Sequence, residues 1–197
     1  MAWKTMKFRL TGDCPMLMHN GQLANPLSAS SKALKRVTSK RAKTDADHER
    51  MAELEYHGSL YLTDDGPVLP GECVEAAIGE GAKKTKEGKL AKSCCFVPQH
   101  SRLEYEGPRD AAKLFEHEDF KLVAPVRVGT SRVMRTRPMF KEWAATVDVS
   151  YEDSVVNGEQ VVRWIATAGT LVGVGDWRPR YGRFTATEID GSTARRG

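Results

Sequence analysis

The stretch from Asn157 to Ile189 constrains the fold of this chain more than any other part of the sequence. Five apolar residues follow Asn157-Gly158 at helical spacing: Val161, Val162, Trp164, Ile165 and Ala168. That spacing predicts an amphipathic helix, and Gly169 stands where a glycine cap would end it. A glycine-rich turn comes next, and Phe184–Ile189 is predicted as a strand. The chain is therefore expected to end in a helix, a tight turn and a closing strand.

The rest of the chain supplies further strands and a further helix. Met6–Leu10 alternates apolar and polar residues, which predicts a strand. The turn Asp64-Asp65-Gly66 lies between two short apolar runs and predicts a hairpin. Pro70-Gly71 introduces a second helix with an apolar face. Other strands are predicted at Cys94–Val97, Leu103–Tyr105, Leu122–Val128 and Ala145–Ser150.

This order predicts an α+β fold with a ferredoxin-like, RRM-like βαββαβ core. We expect one domain over residues 1–190, because a chain of 197 residues can bury a single core. Residues 28–58 are predicted as a basic insertion after the first strand, with a mobile arm over Ala29–Thr44 and a helix over Asp45–His57. Additions are also predicted in three other places: an exposed Lys-rich loop at 83–92, a second hairpin within Val133–Asp148, and a flexible tail at 191–197.

Cationic side chains are clustered along the sequence, although the net charge is only +4. The clusters lie in four places: Lys32–Lys43, Lys83–Lys92, Arg127–Lys141 and Arg178–Arg183. Clustered cations suit a polyanionic partner, because each neutralised phosphate releases condensed counterions. The alternative is a set of solvated surfaces. In the first cluster, nucleic-acid contacts are predicted for Lys32, Lys35, Arg36, Lys40 and Arg41.

The first segment suited to carry a function is Gly169–Phe184, which combines glycines, aromatic rings and arginines. The glycines allow a close backbone approach, the rings offer faces for base stacking, and the arginines suit phosphates. The alternative is a helix cap and a tight turn with buried rings. Gly173-Val174-Gly175 lacks the third glycine of GxGxxG, which argues against a dinucleotide site. Nucleic-acid contacts are predicted for Trp177, Arg178, Arg180, Tyr181 and Arg183.

The second such segment is Val128–Trp143, in which arginines are interleaved with apolar residues. On a strand, Arg135 and Arg137 would share one face. A basic strand beside exposed aromatic rings forms a platform for single-stranded nucleic acid, whereas the alternative is a solvated hairpin edge. Nucleic-acid contacts are predicted for Arg132, Arg135, Arg137 and Phe140.

The third segment is Cys14–Gly21, where Met16–Met18 is predicted as core or interface. His19 and Asn20 are predicted to contact the ligand, and an acid-base role for His19 is the catalytic alternative. No GxSxG or HExxH motif occurs, and the histidines lack metal-ligand spacing. No catalytic residue, metal or cofactor is therefore predicted.

The sequence also bears on location. No apolar run approaches the roughly 20 residues that a membrane-spanning helix needs, and the first ten residues lack the apolar core of a secretion signal. The four cysteines, Cys14, Cys73, Cys94 and Cys95, form no CxxC pair and are predicted as reduced thiols. A cytoplasmic protein with no membrane partner is expected.

Three motifs together resemble the RAMP superfamily, which includes the repeating backbone subunits of CRISPR effector complexes. They read CPMLMHNG, VLPGECVEAAIGEGAKK and GVGDWRPRYGRF. Leu69–Glu72 matches the superfamily's proline-glycine turn before a helix, and Gly173–Gly182 stands in the place of its glycine-rich loop. The chain also resembles a group of small phage-borne proteins that share MRTRPMFKEW and GDWRPRYGRF. The resemblance implies an RRM-like core, a single-stranded RNA or DNA ligand, and side-by-side oligomers along the strand.

We therefore expect a non-catalytic, sequence-tolerant protein that binds single-stranded nucleic acid and assembles with itself as a homo-oligomer or filament. If it is phage-encoded, it would act in the cytoplasm of the bacterial host. Two alternatives stay open. One is a RAMP-type ribonuclease that uses His19, and the other is a phage-encoded mimic of a CRISPR backbone subunit that binds a protein complex. Stacking and phosphate contacts serve RNA and DNA alike.

Overall fold

A computed structural model describes residues 2–189, with the backbone alone for Val128. Within this range the strands are, in chain order, β1 (Trp3–Gly12), β2 (Met16–Leu17), β3 (Leu62–Thr63), β4 (Gly66–Leu69), β5 (Cys95–Phe96), β6 (Ser101–Arg102), β7 (Lys121–Val128), β8 (Ser131–Phe140), β9 (Ala144–Glu152) and β10 (Phe184–Glu188). The α-helices are α1 (Ala29–Thr38), α2 (Asp45–Ser59), α3 (Gly71–Ala82), α4 (Gly88–Cys94), α5 (Ala111–Glu116) and α6 (Gly158–Leu171). None of these helices has the length and apolar character needed to cross a membrane. The predicted tail at 191–197 lies outside the described residues.

The central sheet has the strand order β10-β1-β9-β5, and each neighbouring pair is antiparallel. Helix α3 precedes β5 and α6 joins β9 to β10, and the two helices pack against each other. This is the βαββαβ arrangement, so the predicted α+β, ferredoxin-like core is confirmed. The insertion of residues 28–58 after the first strand is also present, as is the hairpin predicted at Asp64-Asp65-Gly66, which joins β3 and β4.

The apolar core lies between this sheet and the helices. In β1, Phe8 and Leu10 point inward and pair with Val147 and Ala145 of β9, and all four are buried. Alternation with a period of two places these residues on one face of each strand. Trp164 of α6 is fully buried against the same core.

The C-terminal helix ends later than the sequence predicted. It continues to Leu171, and the glycine with positive φ beyond its end is Gly173, at φ +79°, rather than Gly169. The Gly173 N–H donates to the Ala168 carbonyl at 2.8 Å, which closes the last turn as a glycine cap does. Gly169 is instead buried inside the helix, where a Cβ would lie 2.1 Å from the Phe184 carbonyl oxygen.

The predicted mobile arm at Ala29–Thr44 is wrong in its first part, because residues 29–38 form α1. The Ser28 hydroxyl accepts a hydrogen bond from the Ser31 N–H and caps this helix. Thr44 and Asp47 form a capping box at the start of α2. The two helices pack side by side as a pair.

The Lys-rich segment 83–92 is also not a loop. It forms a short 3₁₀ helix at Lys83–Thr85 and most of α4. Glu87 anchors it, because its carboxylate accepts hydrogen bonds from Trp164 Nε1 at 2.8 Å and Gln160 Nε2 at 3.0 Å on α6. The lysines of this segment remain exposed, as expected.

A long hairpin stands beside the core and is formed by β7 and β8. Its turn is at Gly129-Thr130, so the predicted second hairpin within Val133–Asp148 is wrong: β8 runs unbroken from Ser131 to Phe140. β2 pairs with the end of β8, with Met16 opposite Phe140. The hairpin is thereby fixed to the segment that follows β1.

Candidate functional site

A groove lies between the helix pair α1–α2 and the β7–β8 hairpin, with a volume of about 1040 Å³. We call it the basic groove. Its apolar lining residues are Leu23, Leu34, Met51, Ala52, Val123, Val133 and Met134, of which Met134 is 59% exposed. Polar and charged side chains line the rest, including the carboxylates of Glu49 and Glu55.

Cations from two distant parts of the sequence meet on this groove. Lys35 and Lys43 come from the insertion, and Arg132 and Arg135 come from the hairpin. Lys35 and Arg132 are exposed, whereas Lys43 and Arg135 are half-buried. The structure thus brings together two of the four cationic clusters that the sequence showed separately.

The remaining predicted cations of the insertion lie on α1 or directly after it. Lys32, Lys35 and Arg36 border a shallow recess of about 270 Å³ next to the groove. Lys40 is not free, because its ammonium group contacts Asp47 Oδ1 at 2.6 Å. Arg41 is exposed.

A buried ion-pair network closes the inner end of the basic groove. Arg137 Nη1 donates to Glu55 Oε1 at 2.8 Å, and Arg137 Nε donates to Asp176 Oδ2 at 3.1 Å. Arg135 lies 3.2 Å from the same Glu55 oxygen, and the Thr136 N–H donates to the other Glu55 oxygen at 2.9 Å. Arg135 and Arg137 therefore share a face as predicted, but their partner on it is a carboxylate of the protein.

Two predicted ligand contacts on β8 are corrected by burial. The Arg137 side chain is 8% exposed, and its Nε and Nη1 groups donate to Asp176 and Glu55 within the network. Phe140 is fully buried, and its ring centroid lies 4.8 Å from that of Tyr105. Both residues hold the base of the hairpin and do not form a binding platform.

His19 lies beside the network. The Met18 N–H donates to the Pro138 carbonyl at 3.0 Å, which brings His19 next to Arg137. Burial, and next the positive charge of Arg137, lowers the pKa of His19, while Asp176 opposes the shift. His19 is therefore neutral at neutral pH, with its residue still exposed to solvent.

Asn20 serves the fold. Its Oδ1 accepts a hydrogen bond from the Gln22 N–H at 2.9 Å and caps the short 3₁₀ helix Gly21–Ala24. Its Nδ2 donates to the Leu60 carbonyl at 3.0 Å. Both polar atoms of the Asn20 side chain, predicted as a ligand contact, therefore make hydrogen bonds within the protein. Met16–Met18 is buried, which confirms its assignment to the core.

The glycine-rich segment 172–183, which we call the arginine loop, is held by its backbone. The Asp176 N–H donates to the Leu17 carbonyl at 2.9 Å, and the Gly182 N–H donates to the Pro15 carbonyl at 2.8 Å. Gly182 has φ +74°, and a Cβ there would lie 1.8 Å from the Val174 carbonyl oxygen. The glycine thus makes room for the protein's own backbone, and no ligand is needed to explain it.

The arginines of this loop point away from that packing. Arg178, Arg180 and Arg183 are exposed, and Trp177 and Tyr181 are half-buried with their ring centroids 6.1 Å apart. Trp177 has φ +52°, a backbone region that bulky residues rarely adopt. The loop therefore presents cations and two rings on a fixed backbone.

Sequence reasoning missed Glu55 and Asp176, which organise the site. A signal existed for Glu55, because it follows Met51 by four residues and so lies on the apolar side of α2. A carboxylate at such a position needs a buried partner. Asp176 carried no comparable signal. Among residues 2–189, no group of three or more His, Cys, Asp or Glu side chains is placed to hold a metal ion.

Fold and site together define an α+β protein with a ferredoxin-like core, a basic groove and an arginine loop joined by a buried ion-pair network. Neither the models of known protein families nor the curated proteins include a match to this chain. Among solved structures, the chain is similar to Cmr6 from Pyrococcus furiosus, with 10% sequence identity. The similarity covers 95% of this chain and 98% of that chain, with a TM-score of 0.41. The ferredoxin-like topology of the chain follows from the strand order and register of its central sheet.

Proposed function

We propose that this protein binds single-stranded nucleic acid in the basic groove and along the arginine loop. The observation that carries the proposal is the convergence of Lys35 and Lys43 with Arg132 on one groove, which Arg135 also lines while paired with Glu55. These residues are about a hundred positions apart in sequence, and only the fold joins them. Their cations are positioned to neutralise phosphates, which is the main source of affinity for nucleic acid.

The lining of the groove supports binding with little sequence preference. Its apolar side chains, such as Met134 and Val133, offer van der Waals contacts that do not read the edges of bases. The exposed cations at the rim are long and flexible and suit the regular charge of the backbone. The groove volume of about 1040 Å³ lies at the upper end of the range for small-molecule sites, which leaves room for more than one nucleotide.

The ion-pair network supports a path from the groove to the arginine loop. Glu55 borders the basic groove, and Asp176 belongs to the loop. Arg137 holds both carboxylates, so the two cationic surfaces are fixed relative to each other. A strand that leaves the groove past His19 would meet Trp177 and the loop arginines next.

We propose that the protein binds without cleaving. A ribonuclease would need a second group beside His19 to hold or release a proton. The nearby carboxylates of Glu55 and Asp176 accept hydrogen bonds from Arg137, which engages them within the protein. This supports binding over catalysis, and the cleavage assay below decides between them.

We propose, in addition, that copies assemble side by side on the strand. Trp3 and Phe96 stack edge-to-face at 5.0 Å between ring centroids and are 51% and 39% exposed. Such exposed aromatic area is suited to contact with a neighbouring copy. Light scattering after size exclusion, with and without an oligonucleotide, measures this assembly, and a monomer under both conditions contradicts it.

Binding is tested by fluorescence anisotropy with labelled single strands of about 20 nucleotides, in RNA and DNA forms. We expect the logarithm of affinity to fall linearly with the logarithm of salt concentration. In the double variant Lys35→Ala/Arg132→Ala, we expect weaker binding and a slope smaller by about 1.4, because each lost phosphate contact removes about 0.7. Lys89→Ala, an exposed lysine on α4, is the matched control.

Absence of binding to any single strand, or binding that salt does not change, contradicts the proposal. The same labelled RNA is incubated with the protein and separated on a denaturing gel. Cleavage that disappears in His19→Ala assigns the site to a ribonuclease instead. Co-purification with a protein complex, together with no affinity for free nucleic acid, assigns it to a protein-binding mimic.

A further inference from the structure

Tyr61 follows α2 in the chain and contacts His19 beside the inner end of the basic groove. Its hydroxyl donates a hydrogen bond to the His19 carbonyl at 3.2 Å. Burial, and next the neighbouring Cys73 thiol, raises the pKa of Tyr61 to about 12, so the hydroxyl keeps its proton and stays a donor near neutral pH. The polar end of this side chain is therefore already engaged within the protein.

The backbone around Tyr61 is fixed to the segment after β1. The Asn20 N–H donates to the Ser59 carbonyl at 3.0 Å, and Asn20 Nδ2 donates to the Leu60 carbonyl at 3.0 Å. The Tyr61 carbonyl itself accepts from the Val68 N–H at 3.0 Å. The ring is thus placed before any ligand arrives, which lowers the entropy lost on binding.

The Tyr61 ring has no aromatic partner of its own. Tyr56 packs with its ring centroid 5.3 Å from that of Phe115, and the Tyr105 centroid lies 4.8 Å from that of Phe140. Tyr61 is half-buried, and among residues 2–189 its ring packs against no other aromatic ring and no cation. A fixed ring of this kind, bonded only at its polar end, is suited to stacking on a base.

Cys73 on α3 lies between Tyr61 and the arginine loop. Burial raises the pKa of the Cys73 thiol, whereas the Tyr61 hydroxyl and the positive charge of Arg178 both oppose that shift, because both groups lie close to the thiol. Arg178 is exposed, so its guanidinium group is open to a ligand. An aromatic ring and a cation are therefore neighbours around Cys73.

Farther along α3, Arg178 and Trp177 line a recess of about 510 Å³ together with Glu80. Cys73 and Glu80 are seven residues apart, which places them on one side of the helix and about 10 Å apart along its axis. Arg178 thus lies beside two successive turns of α3, with Tyr61 near the first and Trp177 near the second. A single strand carries its bases and phosphates in alternation, so a ring, a cation and a second ring suit it.

We infer that Tyr61 stacks on a base of the bound strand where the strand crosses from the basic groove to the arginine loop. The inference rests on the proposed function, since the base arrives as part of a strand. Stacking does not read the edges of bases, so this contact keeps the binding sequence-tolerant. It makes the groove and the loop one continuous site.

The test compares Tyr61→Leu, which removes the ring, with Tyr61→Phe, which removes only the hydroxyl. Binding to labelled single strands of about 16 nucleotides is measured by anisotropy on the whole chain. We expect Tyr61→Leu to bind roughly five- to 150-fold more weakly, the range for one stacked base. Tyr61→Phe should bind like the unsubstituted chain. Leu62→Ala, at the exposed neighbouring residue, is the matched control and should keep the affinity.

Two further measurements separate stacking from a structural role of Tyr61. A strand of the same length without bases keeps its phosphates but offers nothing to stack on, so Tyr61→Leu and the unsubstituted chain should bind it equally. The salt slope should also be equal in both, because the ring carries no charge. A Tyr61→Leu variant that loses affinity for both kinds of strand alike, or a Tyr61→Phe variant that binds as weakly as Tyr61→Leu, overturns the inference.

The remaining outcomes separate this inference from the proposed function. Equal binding of strands with bases by Tyr61→Leu and the unsubstituted chain overturns the stacking contact and leaves the groove proposal standing. No binding of any strand by the unsubstituted chain overturns both. If circular dichroism shows that Tyr61→Leu is unfolded, photo-crosslinking of the unsubstituted chain to a bromo-substituted strand decides. A crosslink at Tyr61 is then expected, and its absence overturns the inference.

Discussion

The two arginine-rich segments of this chain, β8 and the arginine loop, use the same residue type in opposite environments. On β8, Arg137 is 8% exposed and paired with Glu55 and Asp176. On the loop, Arg178 and Arg180 are exposed and leave their guanidinium groups in solvent. The difference follows from the presence or absence of a buried carboxylate nearby. Arginine in a motif therefore indicates a ligand only where the protein itself supplies no partner.

Glycine also has different roles in the arginine loop and in the β7–β8 hairpin. In the arginine loop the glycines allow the backbone to pack on residues 14–18, so they build the loop. In the hairpin turn, Gly129 has φ +60° and open space around it, so it serves turn geometry alone. In the arginine loop, the glycines thus serve the fold, whereas the arginines lie exposed at the surface.

The largest effect is expected from removing the buried arginine. Arg137→Met leaves the buried Glu55 carboxylate with only Arg135 beside it and removes the cation that pairs with Asp176, and we expect a loss of about 3–5 kcal/mol in the free energy of unfolding. Urea unfolding followed by circular dichroism measures it. Arg132→Met, at the exposed end of the same strand, is the control and should change stability by no more than about 0.5 kcal/mol. Equal stability of the two variants would show that Arg137 contributes no more to the fold than an exposed arginine does.

The next effect is expected in the loop backbone. Gly182→Ala places a Cβ against the Val174 carbonyl at a positive φ, and we expect about 1–3 kcal/mol of destabilisation. Thermal unfolding measures the change. Gly21→Ala introduces the same methyl group where nothing lies within 4 Å and should leave the melting temperature nearly unchanged. A neutral Gly182→Ala would mean that this glycine is kept for a ligand rather than for packing.

A smaller effect, on binding alone, is expected from the exposed arginines of the loop. Arg180→Ala removes an exposed guanidinium group and should reduce the salt slope for single-strand binding by about 0.7. The unfolding midpoint should stay within error of the unsubstituted protein, because the side chain is solvated. A variant that unfolds, or that binds with an unchanged slope, would place Arg180 with Arg137 among the structural arginines.

The smallest effect concerns pH. Burial and the charge of Arg137 lower the pKa of His19 in the folded chain. The unfolded chain therefore takes up this proton at higher pH, so stability is full above the ordinary histidine pKa of about 6.5 and falls as the pH drops below it. The urea midpoint of His19→Asn should change less between about pH 7 and about pH 5.5 than that of the unsubstituted chain. An identical change in the variant and in the unsubstituted chain would show that the ion-pair network does not lower the pKa of His19.

Much of the fold could be predicted because it follows from local periodicity. The alternation in Met6–Leu10 and the helical spacing after Asn157 are strong signals, and they place β1 and α6 correctly. The α1 helix was missed because its many cations were weighed above the helical spacing of Ala33, Leu34 and Val37, which packs on α2. Residues 83–92 were misjudged because Glu87 binds Trp164 and Gln160 across 73 or more residues, which no local pattern reveals.

The residues of the candidate site could likewise be predicted only in part. Residue type and clustering pointed to Lys35, Arg132 and Arg178, each of which is exposed and lines a concave feature. Clustering could not show that Arg137 and Phe140 are buried, because burial depends on Glu55 and on the pairing of β2 with β8. Long-range pairing is a property of the fold, so the structural members of an arginine motif emerge only with the structure.

Photo-crosslinking tests the central claim most directly. A single strand with thio-substituted or bromo-substituted pyrimidines is crosslinked to the whole chain, and the attached peptides are identified by mass spectrometry. We predict crosslinks at Met134 and Met51 in the basic groove and at Trp177 or Tyr181 in the arginine loop, lost together at high salt. Crosslinks confined to the outward face of the central sheet, at Thr5 and Thr187, with none in the groove or the loop, would contradict the account.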